Sequence, residues 1–240
     1  MEKGIFHGIP QLPEGYQASS EELYHRFHPY EVHPDLTVEE KTPYMEQWYR
    51  ESEQLIAGSN ISPENVRTRV ETCDTRFRDG SENMFKALKH AEVPVLVFSA
   101  GVGDVVKIAL EKHGMLLPNV RIISNFLHWD DKGKLSGFQG DMIHVFNKNQ
   151  RALAAHEEYF SLLAHRPNVV LLGDNEGDAA MGHGVQDPAA MIKVGFLYHN
   201  REARLAKFLD QFDIVLMDDQ TMGIPLQMLQ PIIGKQHFDS

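Results

Sequence analysis

Cysteine is nearly absent from this chain of 240 residues. Cys73 stands alone, so an internal disulfide is excluded, and the chain fits a reducing compartment. Long apolar runs are missing as well: none approaches the roughly 20 residues a membrane helix needs, so no bilayer span is expected. Residues Met1 to Pro10 carry neither the basic nor the apolar region of a secretory signal. Basic residues are in deficit, 23 Lys and Arg against 34 Asp and Glu, for a formal charge of -11. That balance excludes a general electrostatic footprint for a nucleic-acid polymer. A small phosphorylated ligand is still compatible, because local groups and a metal ion can reverse the field inside one cleft. Repeats and low-complexity linkers are not seen, and 42% hydrophobic with 24% charged residues is ordinary globular composition. The 13 histidines are scattered, and the closest group, His25, His28 and His33, reads as surface histidines rather than a metal site.

Two textures meet near residue 92. Residues 1–91 read as an N-terminal segment and a helical cap, residues 92–240 as an α/β core. In the first part, Ser20-Glu21-Glu22 opens one predicted helix. Thr37-Val38-Glu39-Glu40 has capping-box spacing before a run ending near Gly58, and Ser62-Pro63-Glu64 places proline at a first helical position. Asp79-Gly80-Ser81 precedes a fourth helix, from about Glu82 to His90. In the second part, apolar runs at Val93 to Ser99, Val120 to Ser124, Val169 to Gly173, Ile192 to Leu197 and Phe212 to Met217 read as strands. Helical patterns at Asp104 to His113, Gln150 to His165 and Arg201 to Asp210 alternate with them, and His128 to Phe138 reads as an added hairpin. Continuous Val/Ile/Leu strands alternating with helices predict a doubly wound parallel sheet covered on both faces. In such a sheet, ligands bind outside the carboxyl ends of the strands.

The residues just after each run therefore carry the functional reading. Phe98-Ser99-Ala100-Gly101-Val102-Gly103-Asp104 has the first two glycines of a dinucleotide fingerprint. Val106 stands at the third glycine position, and the next strand ends in Ser124-Asn125 rather than an acid; both count against a nicotinamide cofactor. Either the small residues allow a tight turn, or the Ser99 hydroxyl and the following helix amides cradle a phosphate, which is the reading adopted. Leu172-Gly173-Asp174-Asn175-Glu176-Gly177-Asp178 places two aspartates four apart across a glycine turn, a hard-oxygen site suited to Mg²⁺. Asp174 acting only as a helix cap is the plainer alternative. Lys148, taken alone, is an ordinary solvated lysine.

Taken in order, Ser99, Lys148 and Gly173-Asp174-x-x-Gly177-Asp178 resemble the haloacid dehalogenase superfamily. Tyr30-Glu31-Val32-His33-Pro34, Leu36-Thr37-Val38-Glu39-Glu40-Lys41, Pro43-Tyr44-Met45 and Glu46-x-Trp48-Tyr49 look like the cap of the cytosolic 5'-nucleotidase III family. So do Ser124-Asn125-Phe126, His144-Val145-Phe146-Asn147-Lys148 and Phe212-Asp213-Ile214-Val215-Leu216. The resemblance covers about residues 29 to 235. It implies a Mg²⁺-dependent hydrolase of pyrimidine or 7-methylguanosine monophosphates, cytoplasmic and monomeric, with a small nucleotide as partner and neither nucleic-acid polymer nor membrane. By matching position, Ser99 and Ala100 hold the phosphate, Lys148 neutralises charge, and Asp174 ligates Mg²⁺ with Asp178 in support. Glu31 and Ser52 meet the nucleotide from the cap, Glu31 as base reader. Trp48 and Tyr49 either stack on a base or form the core of the cap helix.

One departure stands against this string of matches. The family's chemistry starts on a strand ending in Asp-x-Asp-x-Thr, whose first Asp attacks phosphorus and whose second is general acid and base. No Asp-x-Asp occurs in the 240 residues. The resemblance therefore predicts a sheet without its central first strand, in a truncated or inactive form of the enzyme. The alternative is a catalytically inactive protein that binds nucleoside monophosphates.

Overall fold

A computed structural model describes residues 5, 8–33, 35–148, 163, 165–184, 188–217 and 221–234. Chain packing divides it into two compact units, Met1–Arg76 with Leu96–His144, and Phe77–Val95 with Val145–Ser240.

In the first unit, helices α1 (Tyr16–Glu31) and α2 (Val38–Ile56) pack on each other. Helix α2 begins as the spacing predicts. The Thr37 hydroxyl accepts the Glu40 amide and the Glu40 carboxylate accepts the Thr37 amide, at 3.2 and 2.9 Å. Helix α3 (Pro63–Thr72) starts the same way, with Ser62 and Asn65 as the reciprocal pair. Helix α1 differs from expectation: it starts at Tyr16, after Gly15 at φ 79, so Ser20-Glu21-Glu22 lie inside it. A left-handed glycine turned the chain before the polar signal was reached. The interface of α1 and α2 is aromatic. Trp48 stacks on Phe27 with centroids 6.2 Å apart, and Tyr30 on Tyr44 at 3.8 Å.

Strands β1 (Val95–Val102) and β2 (Val120–Asn125) pair, with α5 (Gly103–Lys112) between them in sequence and packed on α3. The predicted hairpin is present as β3 (Leu127–Trp129) antiparallel to β4 (Leu135–Phe138), with an irregularity between His128 and Trp129. It is tied to the helices by Trp129, whose Nε1–H donates to the Ile61 carbonyl at 2.9 Å, and by the Phe138 amide, which donates to Glu53 at 2.7 Å.

His144 is buried in this unit, 6.2 Å from the Tyr49 ring. Desolvation holds its pKa below the ordinary histidine value, and Glu46 opposes that. A histidine that protonates more readily when unfolded removes stability as the pH falls through its unfolded value of about 6.5. Urea midpoints at pH 7.5 and 5.5 are therefore expected to fall further apart in the natural chain than in His144→Gln. Equal spacing would remove His144 from the account.

The second unit holds α4 (Ser81–His90) and a three-stranded parallel sheet: β5 (Asn168–Gly173), β6 (Ala190–Leu197) and β7 (Ile214–Met217). Gly80 at φ 86 precedes α4, as the Asp-Gly-Ser punctuation predicts. A 3₁₀ helix (Glu176–Gly184) leaves β5, α6 (Arg201–Gln211) connects β6 to β7, and α7 (Gly223–Ile233) closes the described chain. The core packs Leu171, Ala179, Leu197, Phe208 and Phe212, each worth roughly 1–3 kcal/mol of apolar burial. Because β5 and β6 run parallel with Gly173 opposite Gly195, the residues after Gly173 emerge at the carboxyl edge of the sheet. The helix predicted from Gln150 to His165 lies largely outside the described residues.

Among the described strands, β1 pairs only with β2 and β5 only with β6. All eight residues of β1 are half-buried, although the sequence Val-Leu-Val-Phe reads as a strand enclosed on both sides.

Candidate active site

In the first unit, the end of β1 is held by the end of β2. Asn125, 3% exposed, donates to the carbonyls of Ala100 and Ile143 at 2.9 and 2.7 Å and accepts the Ile143 amide at 2.7 Å. The Ser124 hydroxyl donates to the Gly101 carbonyl at 2.8 Å. Ser99 accepts the Gly101 amide at 3.1 Å, and no described residue takes its hydroxyl proton. Ser99 and Ala100 are half-buried inside β1, which runs on to Val102, three residues past the strand end expected at Ser99, and the Ser99 hydroxyl keeps a donor available to an anion. Asp104, in the first turn of α5, is spent on structure: it accepts the Leu127 amide at 2.8 Å. Burial pushes its carboxyl above the usual range, and that hydrogen bond pulls it back.

The cap candidates sit on the paired helices. Glu31 is the last residue of α1 and Ser52 lies in α2, both half-buried. A polar cleft of about 740 Å³ between these helices is lined by Glu22, Arg26, Glu46, Arg50 and Glu51 among others, and neither Glu31 nor Ser52 belongs to it. Trp48 is engaged with Phe27 and with Tyr24 at 6.0 Å, as a core residue of the cap would be. His25 is exposed, His28 stacks on Tyr24 at 4.5 Å, and His33 accepts the Asp35 amide at 3.2 Å. Among the described residues no cluster of three or more His, Cys, Asp or Glu could hold a metal ion.

The second unit brings Lys148, Asp174 and Asp178 together. The Lys148 ammonium donates to Asp178 Oδ1 at 2.8 Å, and the two residues are 8% and 5% exposed. Asp178 Oδ2 accepts the amides of Asp174 and Asn175, both at 3.0 Å, so one buried carboxylate shapes the whole turn. The Asn175 side-chain oxygen Oδ1 tightens it further by accepting the Gly177 amide at 3.1 Å. Lys148 is thus not the solvated side chain it reads as alone. A buried lysine needs a paired charge, and Asp178 is that charge.

Asp174 is left in a different state. It is exposed, and no described residue hydrogen-bonds its carboxylate. Desolvation raises its carboxyl above the usual range, and the neighbouring Asp178 adds to this; Lys148, Arg78 and Arg204 work in the opposite direction. Exposure lets water screen much of this, so the stability consequence is small. The two aspartates therefore divide the work: Asp178 organises and Asp174 is presented. One accessible carboxylate suits Mg²⁺, which commonly takes one or two protein carboxylates and fills its octahedron with water and phosphate oxygens.

Sequence reasoning missed Asn125 as the brace of the strand ends, and Arg78 and Arg204 as cations near Asp174. The Arg78 guanidinium lies 4.0 Å over the Phe196 ring, and Arg204 pairs with Glu176. The signals for Asn125 were an amide at the end of a β-run and its place in the Ser124-Asn125-Phe126 motif.

The sequence profile of the pyrimidine 5'-nucleotidase family (UMPH-1) matches residues 3–233. The chain is 40% identical over 234 residues to a 7-methylguanosine phosphate-specific 5'-nucleotidase of Drosophila melanogaster, an alignment covering 98% of this chain and 73% of that one. It is 35% identical over 211 residues to the Homo sapiens protein of the same description, covering 88% and 70%. The crystal structure of cytosolic 5'-nucleotidase IIIB bound to cytidine is similar with a TM-score of 0.91 at 39% identity, over 99% of this chain and 79% of that chain. A phosphoserine phosphohydrolase-like protein from Francisella tularensis subsp. tularensis SCHU S4, TM-score 0.57 at 12% identity, shares the fold alone.

Proposed function

As this chain belongs to the pyrimidine 5'-nucleotidase family, a group of phosphoric monoester hydrolases, we propose that its role is Mg²⁺-dependent handling of pyrimidine or 7-methylguanosine 5'-monophosphates. The observation that carries this reading is the accessible Asp174 carboxylate beside the buried Lys148–Asp178 pair, at the carboxyl edge of a parallel sheet. Residues 1–91 are read as the cap with its N-terminal segment, and 92–240 as the core. The proposed setting is the cytoplasm, with a monomeric chain.

Each residue has a defined part in this reading. Ser99 donates its hydroxyl proton to a phosphate oxygen, and the chain at Ala100 takes another. Lys148 spends one of its three N–H donors on Asp178, and the others serve the dianion. Asp174 and the phosphate would hold Mg²⁺, which supplies a Lewis acid for the transferring group. Glu31 and Ser52 contact the nucleoside from the cap. What the 240 residues lack is a carboxylate in an Asp-x-Asp to accept the phosphoryl group and return protons. General acid–base help alone is worth about 10²–10⁴-fold, and the covalent route is lost with it. This chain is therefore expected to release phosphate at no more than a trace rate. The same absence favours a second reading, a nucleoside-monophosphate-binding protein without chemistry. Under the first reading, a form of the protein with an added Asp-x-Asp strand turns over CMP or 7-methyl-GMP.

The test uses the 240-residue chain and Asp174→Asn. A carboxyl whose pKa is raised by folding costs stability once it is ionised, and exposure screens most of this, so Asp174→Asn should melt no lower than the natural chain without metal. Mg²⁺ should raise the melting temperature of the natural chain and not of the variant. Calorimetry should show CMP or 7-methyl-GMP binding in the presence of Mg²⁺, with trace phosphate release. Robust turnover abolished by Asp174→Asn would overturn the absence of a nucleophile. Neither Mg²⁺ nor nucleotide binding would overturn the nucleotide reading itself.

A further inference from the structure

The turn that presents Asp174 is held from inside by Asp178 and from outside by a residue on another element. Arg204 Nε donates to Glu176 Oε1 at 3.2 Å. The two side chains are 19% and 21% exposed, so the pair keeps some contact with water. Arg204 lies in the first turns of α6, its amide bonded to the Asn200 carbonyl at 3.0 Å, and α6 packs on the 3₁₀ helix that begins at Glu176. Its guanidinium sits 4.9 Å from the centre of the Phe208 ring, and Phe208 is completely buried. One face of the guanidinium is thus fixed by the core while its edge grips the turn two residues past Asp174.

We propose that Arg204 is a positioning residue for the divalent cation, acting through Glu176 to hold the Asp174–Asp178 turn in the orientation that presents the Asp174 carboxylate. The proposal rests on the reading of Asp174 as a cation ligand. Mg²⁺ makes such bracing matter, because it demands near-ideal octahedral geometry and tolerates little ligand drift. Groups that orient metal ligands from behind typically change affinity by 10–100-fold when removed. A partly exposed ion pair contributes little to global stability, so affinity and melting temperature separate.

The experiment is Mg²⁺ titration of the full 240-residue chain by calorimetry, for Arg204→Gln, Glu176→Gln, the double variant and Arg204→Lys. Each single change to glutamine is expected to weaken Mg²⁺ binding about tenfold, with the melting temperature within about 2 °C. The double variant should be no weaker than the singles, since both break one linkage. Arg204→Lys should recover part of the affinity, having the charge without the planar fork. Independently of metal, hydrogen exchange at the Asp174 and Asn175 amides should quicken in both glutamine variants. Unchanged affinity in variants of a chain that does bind Mg²⁺ overturns this proposal and leaves the functional reading standing; additive losses in the double variant do the same. A natural chain that binds no Mg²⁺ overturns the functional reading instead, and unchanged amide exchange then overturns the positioning role as well. If Arg204→Gln melts far lower, Glu176→Gln, which keeps shape and volume, decides.

Discussion

Lys148→Met is expected to destabilise the chain by about 3–5 kcal/mol, a fall in melting temperature on the order of 10 °C. Methionine nearly matches the lysine stem in length, so the loss is not a cavity effect. It comes from Asp178, which is buried and left with a negative charge and no cation. Burying an unpaired charge is far more expensive than the paired arrangement is favourable, which is why deleting one partner costs so much. The same carboxylate accepts the Asp174 and Asn175 amides, so its relaxation toward water also loosens the turn. Adding Asp178→Asn to Lys148→Met should recover part of the loss, because no buried charge then remains. Thermal unfolding of the natural chain and the two variants checks this. A loss below about 1 kcal/mol for Lys148→Met would mean that the pair is solvated and that Asp178 is not the organiser of the turn.

Gly177→Ala is expected to be nearly as damaging, at about 3 kcal/mol or with the turn displaced altogether. A Cβ at this position would stand 2.1 Å from the Val145 carbonyl oxygen. That oxygen is backbone, so no side chain can swing aside to make room. Gly177 is not among the residues at positive φ, and its conformation would accept alanine; the obstacle is close approach alone. Gly133→Ala is the matching control: φ there is 72 and a Cβ would meet nothing within 4 Å, so its cost is conformational strain. Denaturant unfolding of both variants separates the two causes, and Mg²⁺ binding should be lost in Gly177→Ala and kept in Gly133→Ala. A Gly177→Ala chain that unfolds and binds Mg²⁺ like the natural one would show that Val145 and the turn do not meet this closely.

Much of the local structure was legible before any coordinates. The capping box at Thr37 closes within three residues, by an i to i+3 hydrogen bond that side-chain type alone specifies, and Pro63 marks the first turn of α3. The hairpin from β3 to β4 and the positions of β2, β5 and β6 followed from short β-rich runs between turn residues. The aspartate turn was legible as well, since two aspartates around a glycine turn after an apolar run form a local pattern whatever the surrounding fold. The 3₁₀ helix after Asp174 and helix α7 were not anticipated. The first is a short run rich in glycine and alanine, the second a stretch whose apolar residues give no clear face.

What the sequence determined by itself, then, is the set of groups available and the elements that carry them: Ser99 on one strand, the pair Asp174 and Asp178 just after another, and no Asp-x-Asp anywhere. The tertiary structure decided which of these groups is committed and which is offered. Lys148 and Asp178 are 30 residues apart, and Arg204 and Glu176 are 28 apart. No local rule connects residues at such separations, because their distance depends on how strands and helices stack rather than on neighbouring φ and ψ. Burial then does the assigning: a charge enclosed by protein must be paired, so Asp178 goes to Lys148 and the turn amides, and Asp174, in contact with water, is the carboxylate that no described residue engages.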